Sequence, residues 1–443
     1  MTARPSRQPP RDAPRVIVIG AGFAGLTAVK ELHRVGAQVL LIDRNIYSTF
    51  QPLLYQVATG GLNPGDVAYP LRTLARKKAA RFRPGELAAI DPAGRRITLT
   101  DGSVLGYDYL VLGTGVSAAY YGVTGAAEHT FGLYTRHDAV ALRDHIMARL
   151  ERLDMEGHGR GRGVHFTVVG GGATGVELAG ALAELRDDAD AFPEVDRADV
   201  HIRLVEMAPA LLAPFHPKLQ RYALAELRRR GVDVHLDTKI SEITGDRVIL
   251  ANGDELPSDV TVWAAGVSAP AGVQAWGLPQ GHGGRIEVGP DLRVAGQDRI
   301  FATGDVALIE GQPLPQLAQP AIQSGRHAAE QIALLMAGRP TKPFHYHDKG
   351  IMATIGRRAA VVQFPHGARL RGTLAWLAWL GLHLFYLLGG RNRLSALLNL
   401  SYRYLVWGHG GGVIVGDDAP AAIAGGPPQA LLGAAAGSRQ GSA

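Results

Sequence analysis

The stretch that most constrains the fold is residues 16–43, VIVIGAGFAGLTAVKELHRVGAQVLLID. Its first residues, Val16–Ile19, are all apolar and predict a buried parallel strand. The glycines that follow have the spacing G-x-G-x-x-G, at Gly20, Gly22 and Gly25. In such a turn the first glycine permits the sharp bend, the second lets a pyrophosphate approach the backbone, and the third lets helix pack on strand. The stretch therefore predicts a phosphate site at a helix N-terminus.

An acidic residue completes this unit. The helical run Leu26–Arg34 leads to a second predicted strand, Gln38–Ile42, which ends on Asp43. A carboxylate roughly 20 residues after the first glycine is placed to accept hydrogen bonds from ribose hydroxyls. A G-x-G-x-x-G pattern alone is weak, but strand, turn, helix and acid together favour a dinucleotide site over an ordinary glycine turn.

The same pattern returns in the middle of the chain. Glycines with identical spacing follow a second apolar strand, at Gly170, Gly172 and Gly175. The next predicted strand, Val200–Val205, ends on Glu206. The interval is longer than in the first unit, and the acidic stretch Asp187–Asp199 is a plausible insertion that accounts for it.

Each unit continues in the same order. Predicted antiparallel meanders occupy residues 84–106 and 234–256, and apolar strands follow at Tyr107–Gly115 and Val260–Gly266. The glycines that close these strands are Gly113, Gly115 and Gly266. The chain therefore contains two copies of one unit.

Composition excludes several classes of function. The 443 residues suffice for two or three domains, and the net charge of +6 comes without a dense basic run interleaved with aromatics, so nucleic acid is a poor partner. The absence of cysteine excludes disulfides, thiolate metal sites and cysteine nucleophiles. The first fourteen residues are polar and do not resemble a secretory signal, so we expect a cytoplasmic site.

The assembled pattern resembles the two-dinucleotide flavoprotein reductases. Within that group the chain resembles the type II NADH dehydrogenases, the single-subunit NADH:quinone oxidoreductases, over roughly residues 14–416. The segments that carry the resemblance are FQPLLYQVATG (Phe50–Gly60), GGGATGVELAG (Gly170–Gly180), ATGDVA (Ala302–Ala307) and LAQPAIQSG (Leu317–Gly325). The last matches the quinone-site segment of that family. Related enzymes that rely on cysteine pairs share the fold, but this chain cannot perform their chemistry.

The resemblance implies an α/β fold of two tandem Rossmann-like domains, glutathione-reductase-like, with a C-terminal helical membrane-associating segment. The predicted parts are an arm (1–14), a discontinuous FAD domain (15–125 and 285–343), an NADH domain (126–284), a membrane-association region (344–416) and a disordered tail (417–443).

The resemblance also implies two cofactors, FAD in the first unit and NADH in the second. Asp43 would bind the FAD ribose, and Gly304 with Asp305, at the ATGD turn, would hold the ribityl chain. Residues 49–55 and 113–115 would lie along the flavin. Glu206 would accept from the NADH ribose, which predicts a preference for NADH over NADPH.

Four further residues are candidates for catalysis: Glu177, Gln319, Gln323 and Lys349. Gln319 and Gln323 are i and i+4 on one helix, so both amides could donate to quinone carbonyls; the alternative is two solvated glutamines. Glu177 could orient the carboxamide or relay a proton, or simply suit the helix dipole. Lys349 could stabilise reduced flavin or be a surface lysine.

The C-terminal region predicts attachment to a membrane surface. The apolar run Leu374–Leu388 is shorter than the roughly 20 residues that a spanning helix needs. In the next helix, 394–407, an apolar stripe runs along one side while Asn399 and Arg403 fall elsewhere. Flanking arginines and tryptophans suit an interface. We therefore expect a peripheral protein on the cytoplasmic face of the cell membrane, without proton pumping. A symmetric homodimer is the common default for its oligomeric state. The alternative for the C-terminal region is a buried subdomain or dimer interface.

Two other functions remain open at this point. One is a soluble NADH-dependent flavoprotein that reduces a small iron–sulfur protein. The other is a flavin-binding interaction protein that resembles apoptosis-inducing factor.

Overall fold

The structure, a computed structural model, describes residue 10 and residues 12–156, 163–187 and 192–405. It divides into two compact units. Within the described residues, unit 1 comprises the chain up to Thr49 with Tyr69–Ser117 and Val267–Lys349, and unit 2 comprises Phe50–Ala68, Ala118–Gly266 and the chain from Gly350. Most of the predicted arm and the whole predicted tail lie outside the described residues, and the predicted domain bounds stay a prediction.

The α-helices of the described residues are α1 Phe23–Arg34, α2 Leu54–Ala58, α3 Leu71–Lys77, α4 Ala126–His129, α5 Arg136–Glu156, α6 Ala173–Asp187, α7 Pro217–Arg229, α8 Ala318–Met336, α9 Thr373–Tyr386 and α10 Gly390–Leu405. Short 3₁₀ turns occur at Gln51–Leu53, Arg197–Asp199, Ala271–Trp276, His282–Gly284 and Gly304–Val306. Four short strands complete the inventory outside the sheets described next: Tyr47–Thr49, Ala68–Pro70, Ser117–Ala118 and Val267–Ser268.

Unit 1 is built on a five-stranded parallel sheet. Its spatial order is Ile300–Ala302, Tyr109–Leu112, Arg15–Ile19, Gln38–Asp43 and Arg81–Pro84. The central strands are buried on both faces, as expected for near-continuous apolar runs in a parallel sheet. The meander is a separate three-stranded antiparallel sheet of Leu87–Asp91, Arg96–Leu99 and Val104–Gly106, and a parallel pair joins Ile286–Val288 to Ala307–Ile309.

Unit 2 repeats this plan on a four-stranded parallel sheet. Its order is Val232–His235, Val200–Val205, Val164–Val169 and Val260–Trp263. The strand at 232–235 belongs to this sheet, so the second meander begins later than predicted, as Ile240–Ile243, Arg247–Leu250 and Glu255–Pro257. The reason is that buried and exposed residues alternate in Val232–His235, and this alternation is typical both of an edge strand in a parallel sheet and of a strand in an antiparallel meander.

The last part of unit 2 is a small antiparallel sheet followed by two helices. The strands are Ile351–Gly356, Ala359–Gln363 and Arg369–Arg371, and α9 and α10 follow them. Both helices were predicted, but α10 begins at Gly390 and its described part ends at Leu405. Within the described ranges, none of the helices combines the length and the apolar character needed to cross a bilayer.

Candidate functional site

The glycine turn of unit 1 has one open position among crowded ones. A Cβ on Gly25 would lie 1.9 Å from the carbonyl oxygen of Gly20, and a Cβ on Gly20 would lie 2.3 Å from the oxygen of Gly113. In contrast, a Cβ on Gly22 would meet no described atom within 4 Å. The structure thus leaves room beside Gly22 at the N-terminus of α1, where a pyrophosphate is expected to approach the backbone.

The carboxylate of Asp43 is fixed beside this turn. Its Oδ2 accepts from the backbone N–H of Ala21 at 2.6 Å, and its Oδ1 accepts from the N–H of Asn45 at 2.8 Å. Burial raises the pKa of Asp43, and these two donors oppose the rise. Each carboxylate oxygen has further lone pairs, so Asp43 remains able to accept from ribose hydroxyls.

Asp305 lies at the predicted ATGD turn with a cation near it. Burial raises the pKa of Asp305 to about 6, and the guanidinium of Arg285 opposes that rise. A hydrogen bond from the Gly304 N–H to Ser324 Oγ, 2.9 Å long, holds the turn against α8. Arg285 Nε and Thr114 Oγ1 are buried and have no hydrogen-bond partner among the described residues. Thr114 lies between Gly113 and Gly115, so one predicted flavin-side segment, 113–115, has an unpaired hydroxyl, and the other unpaired group, Arg285 Nε, belongs to the cation near Asp305.

The glycine turn of unit 2 has the same construction. A Cβ on Gly175 would lie 1.9 Å from the oxygen of Gly170, whereas a Cβ on Gly172 would meet no described atom within 4 Å. Gly170 has a φ of +109°, which favours glycine. Gly266 closes the following strand where a Cβ would lie 2.2 Å from the hydroxyl oxygen of Tyr121.

Glu206 occupies the place that Asp43 has in unit 1. Its Oε2 accepts from the N–H of Gly171 at 2.5 Å, and its Oε1 accepts from the N–H of Ala208 at 2.7 Å. In both units the acid therefore binds the residue after the first glycine and the residue two positions beyond itself. The longer interval in unit 2 leaves this geometry unchanged.

Glu177 is buried in unit 2, in the early part of α6. Its Oε1 accepts from the N–H of Thr354 at 3.2 Å. Burial raises the pKa of Glu177 to about 8, and the Thr354 N–H and the Trp379 indole oppose the rise. The carboxyl group therefore keeps its proton at neutral pH and exchanges it near pH 8. The hypothesis that Glu177 relays a proton or positions a group stays a prediction.

Aromatic side chains surround the family-like segment 50–60 in unit 2. The rings of Tyr55 and Trp379 lie 6.1 Å apart, and His383 stacks on Trp379 at 4.0 Å. His383 Nδ1 donates to the Trp379 carbonyl oxygen at 2.7 Å, and burial lowers the pKa of His383 to about 4. His383 is thus a neutral packing histidine, as the apolar character of its helix suggests.

The two glutamines of α8 lie on one face of the helix in unit 1, with different surroundings. Gln323 Nε2 donates to the carbonyl oxygen of His347 at 2.9 Å, and its Oε1 accepts from the N–H of His347 at 3.0 Å. Gln319 also has a polar interaction. Lys349 is exposed and lies two residues beyond His347. The roles predicted for these three side chains remain predictions.

Sequence reasoning missed two charged residues at these sites. Arg285 is near Asp305 although 20 residues separate them in sequence, and no motif marks it. Asp66 is buried and accepts from Ser395 Oγ at 2.6 Å and Asn399 Nδ2 at 2.7 Å. Asp66 lies outside the family-like segment 50–60, and no motif marks it.

These features define a class: a protein with two Rossmann-type units, each with an open glycine turn and a fixed acid for a dinucleotide. Comparison with known proteins agrees. Residues 14–325 match the family model for pyridine nucleotide-disulphide oxidoreductases.

Curated relatives define the family more narrowly. The chain is 36% identical over 423 residues to the type II NADH:quinone oxidoreductase Ndh of Mycobacterium tuberculosis, with 90% of each chain covered. It is 39% identical over 404 residues to NdhA of the same organism, with 86% of this chain and 85% of the relative covered. The chain therefore belongs to the type II NADH:quinone oxidoreductase family.

Solved structures share the fold. NDH2 from Plasmodium falciparum, in complex with NADH, matches with a TM-score of 0.81 at 18% identity, over 90% of this chain and 99% of that one. The sulfide:quinone oxidoreductase of Aquifex aeolicus matches with a TM-score of 0.71 at 20% identity, over 88% and 93%. The α/β fold expected from the sequence is confirmed.

Proposed function

We propose that this protein oxidises NADH and passes two electrons to a membrane quinone through a bound FAD, without pumping protons. The observation that carries the proposal is the duplicated site: two open glycine turns, each with an acid held by the same two backbone donors. Family membership supports NADH and quinone as the two substrates. Membership in this family favours NADH:quinone oxidoreduction over the two alternative functions, reduction of a small iron–sulfur protein and a role as a flavin-binding interaction protein.

FAD fits unit 1. Gly22 offers open space for the pyrophosphate, Asp43 offers acceptors for the ribose, and Asp305 offers a partly buried carboxyl group for the ribityl hydroxyls. The unpaired hydroxyl of Thr114 is a further candidate partner. When bound, FAD supplies the redox chemistry, because it accepts a hydride from NADH and gives up two electrons to quinone.

NADH fits unit 2 in the same way. Gly172 leaves room for a second pyrophosphate, and the carboxylate of Glu206 can accept from the ribose 2′-hydroxyl. Glu206 is followed by Met207, Ala208 and Pro209, none of which could pair with a 2′-phosphate. These residues support NADH over NADPH.

Quinone reduction also needs protons and hydrogen-bond donors. Glu177 is protonated at neutral pH because of its burial, so it can give up a proton without first acquiring one. Gln319 has an amide that can donate to a quinone carbonyl. Lys349 provides a positive charge that could stabilise reduced flavin.

Attachment to a membrane surface is supported by two apolar faces in unit 2. On α9 the exposed fractions of Leu374 and Phe385 are 69% and 67%, and on α10 those of Leu394 and Leu398 are 58% and 60%. Large apolar side chains exposed on adjacent helices mark an interaction surface. Arg391 and Arg393, exposed at the start of α10, can meet anionic head groups. We place the protein on the cytoplasmic face because its nucleotide substrate is cytoplasmic.

The proposal is tested by the choice of electron acceptor. The purified holoprotein is supplied with NADH and a short-chain quinone, a small iron–sulfur protein, or neither. We expect rapid NADH oxidation with quinone alone. Rapid turnover with the iron–sulfur protein and slow turnover with quinone would reject the proposal, as would failure with every acceptor while FAD is bound.

A further inference from the structure

The segment that leads to Lys349 has neither helix nor strand. Residues 339–350 are irregular, and we call residues 342–349 the strap. Backbone N–H and C=O groups need partners even where no neighbouring strand provides them. Side chains of α8 supply several of those partners.

Three α8 side chains bind the backbone of the strap. At one end, Gln331 Oε1 accepts from the N–H of Lys342 at 2.7 Å, and His327 Nε2 donates to the carbonyl oxygen of Lys342 at 2.9 Å. At the other end, Gln323 forms the double hydrogen bond with His347, at 2.9 and 3.0 Å. The strap is therefore fixed at both ends by side-chain hydrogen bonds.

The spacing of these side chains on α8 is regular. Gln323, His327 and Gln331 are i, i+4 and i+8, so they form a single row along the helix. Gln331 also donates from Nε2 to the carbonyl oxygen of His327, at 3.3 Å. The row supplies the hydrogen bonds that an adjacent β-strand would otherwise provide. Gln323 both donates and accepts, His327 donates, and Gln331 accepts.

We propose that Gln323 is a positioning residue: with His327 and Gln331 it fixes the strap and thereby places Lys349. This inference rests on the proposed function, in which Lys349 serves the flavin. Each polar atom of the Gln323 amide makes one of its hydrogen bonds to the His347 backbone. We therefore assign the effect of Gln323 on quinone reduction to the strap, and the double variant below separates this from a direct contact through the second Nε2 hydrogen. Gln319, one turn earlier, remains the candidate donor to a quinone carbonyl.

The first test compares two distant substitutions on the same row. Gln323→Met and Gln331→Met keep the size of the side chain but remove its hydrogen bonds, and Arg326→Gln, on an exposed part of α8, is the control. Hydrogen exchange in the FAD-loaded protein should become about tenfold faster at the His347 amide in Gln323→Met and at the Lys342 amide in Gln331→Met, since each loses its acceptor. Exchange at these amides should be unchanged in Arg326→Gln.

The second test asks whether Gln323 acts through Lys349. We expect Gln323→Met and Gln331→Met to slow flavin reoxidation by quinone, while flavin reduction by NADH stays near the wild-type rate. The double variant Gln323→Met/Lys349→Met should be no slower than Lys349→Met alone.

Two results would overturn the inference. One is slow reoxidation in Gln323→Met with unchanged exchange at His347; the other is an additive loss in the double variant, which would indicate a direct contact with quinone. If the wild-type protein failed to reduce quinone, the proposed function would fail, but exchange at Lys342 and His347 would still test the side-chain row.

Discussion

At the scale of single residues, the two units fix their acids in the same way: Asp43 and Glu206 each accept hydrogen bonds from two backbone N–H groups beside a glycine turn. Both positions follow from the order of strand, glycine turn, helix and strand, because the second strand of such a unit ends beside the turn whatever the length of the connection. Arg285 and Thr354 could not be predicted, because their contacts join segments that are distant in sequence and depend on tertiary packing. The sequence likewise showed that Gln323 could donate, but only the structure showed which group it binds.

The open position at Gly22 gives a sharp test of FAD binding. Gly22 has φ −80° and ψ −166°, which any residue adopts, and its Cβ would meet no described atom within 4 Å. We therefore expect Gly22→Val to fold but to purify with little flavin, because the new methyl groups occupy the space of the pyrophosphate. Flavin absorbance per protein and far-UV circular dichroism measure this.

The contrasting variant in the same turn is Gly25→Ala. A Cβ there would lie 1.9 Å from the carbonyl oxygen of Gly20, so this variant should lose stability as well as flavin. A Gly22→Val protein with full flavin content would contradict the assignment of the site.

Glu206 should determine the choice of nucleotide. A 2′-phosphate would face the carboxylate and be repelled, so the wild type should have a much higher kcat/KM for NADH than for NADPH. Glu206→Gln removes the charge and should lower the ratio of the two kcat/KM values about tenfold. A tenfold change corresponds to roughly the free energy of one charge-assisted hydrogen bond. Equal kcat/KM values in the wild type would show that Glu206 does not discriminate.

Glu177 should make stability depend on pH. Its folded pKa of about 8 lies above the unfolded value of 4.5, so the folded state holds an extra proton between these limits. Stability therefore falls as pH rises through this window, by at most about 1.4 kcal/mol per pH unit. The Tm of Glu177→Gln minus that of the wild type, measured with saturating FAD, should increase from pH 5 to pH 8. A constant difference would mean that Glu177 is ionised in the folded protein.

At the scale of elements, α10 combines a polar inner side with an apolar outer side. Asn399 and Asn392 donate to Asp66 and to the carbonyl oxygen of Ala68, both at 2.7 Å, and Arg403 donates to Gln56 at 3.1 Å. The sequence predicted the apolar stripe correctly, but periodicity alone does not tell which side of a helix meets the protein. That choice depends on the polar partners that segment 50–68 provides.

The exposed leucines of α10 can therefore be changed without disturbing the fold. We expect Leu394→Gln/Leu398→Gln to weaken binding to anionic vesicles about tenfold or more, because two apolar side chains no longer enter the lipid. Vesicle co-sedimentation measures binding, and an unchanged Tm shows that folding is intact. Ala396→Gln, a substitution at a buried position of the same helix, is the contrasting control and should lower Tm.

If the double leucine variant bound vesicles as tightly as the wild type, α10 would not be the membrane contact. These apolar faces would then fit the alternative of a dimer interface, which the oligomeric state of the same variant would reveal.

At the scale of the whole molecule, the internal repeat made the architecture predictable. Two glycine turns, two acids and two meanders recur in the same order, and both units show the expected parallel sheet. Helix and strand bounds differ by a few residues, and the first strand after α7 joined the sheet instead of the meander. Such details depend on packing that local sequence does not encode.

The most direct test of the account follows the two half-reactions of the holoprotein in a stopped-flow instrument. Anaerobic NADH should bleach the flavin absorbance, and a subsequent pulse of quinone should restore it, both at least as fast as steady-state turnover. Gln319→Leu should slow the second phase and leave the first near the wild-type rate. Flavin that NADH reduces but quinone does not reoxidise, or a Gln319→Leu variant that slows only the first phase, would contradict the account.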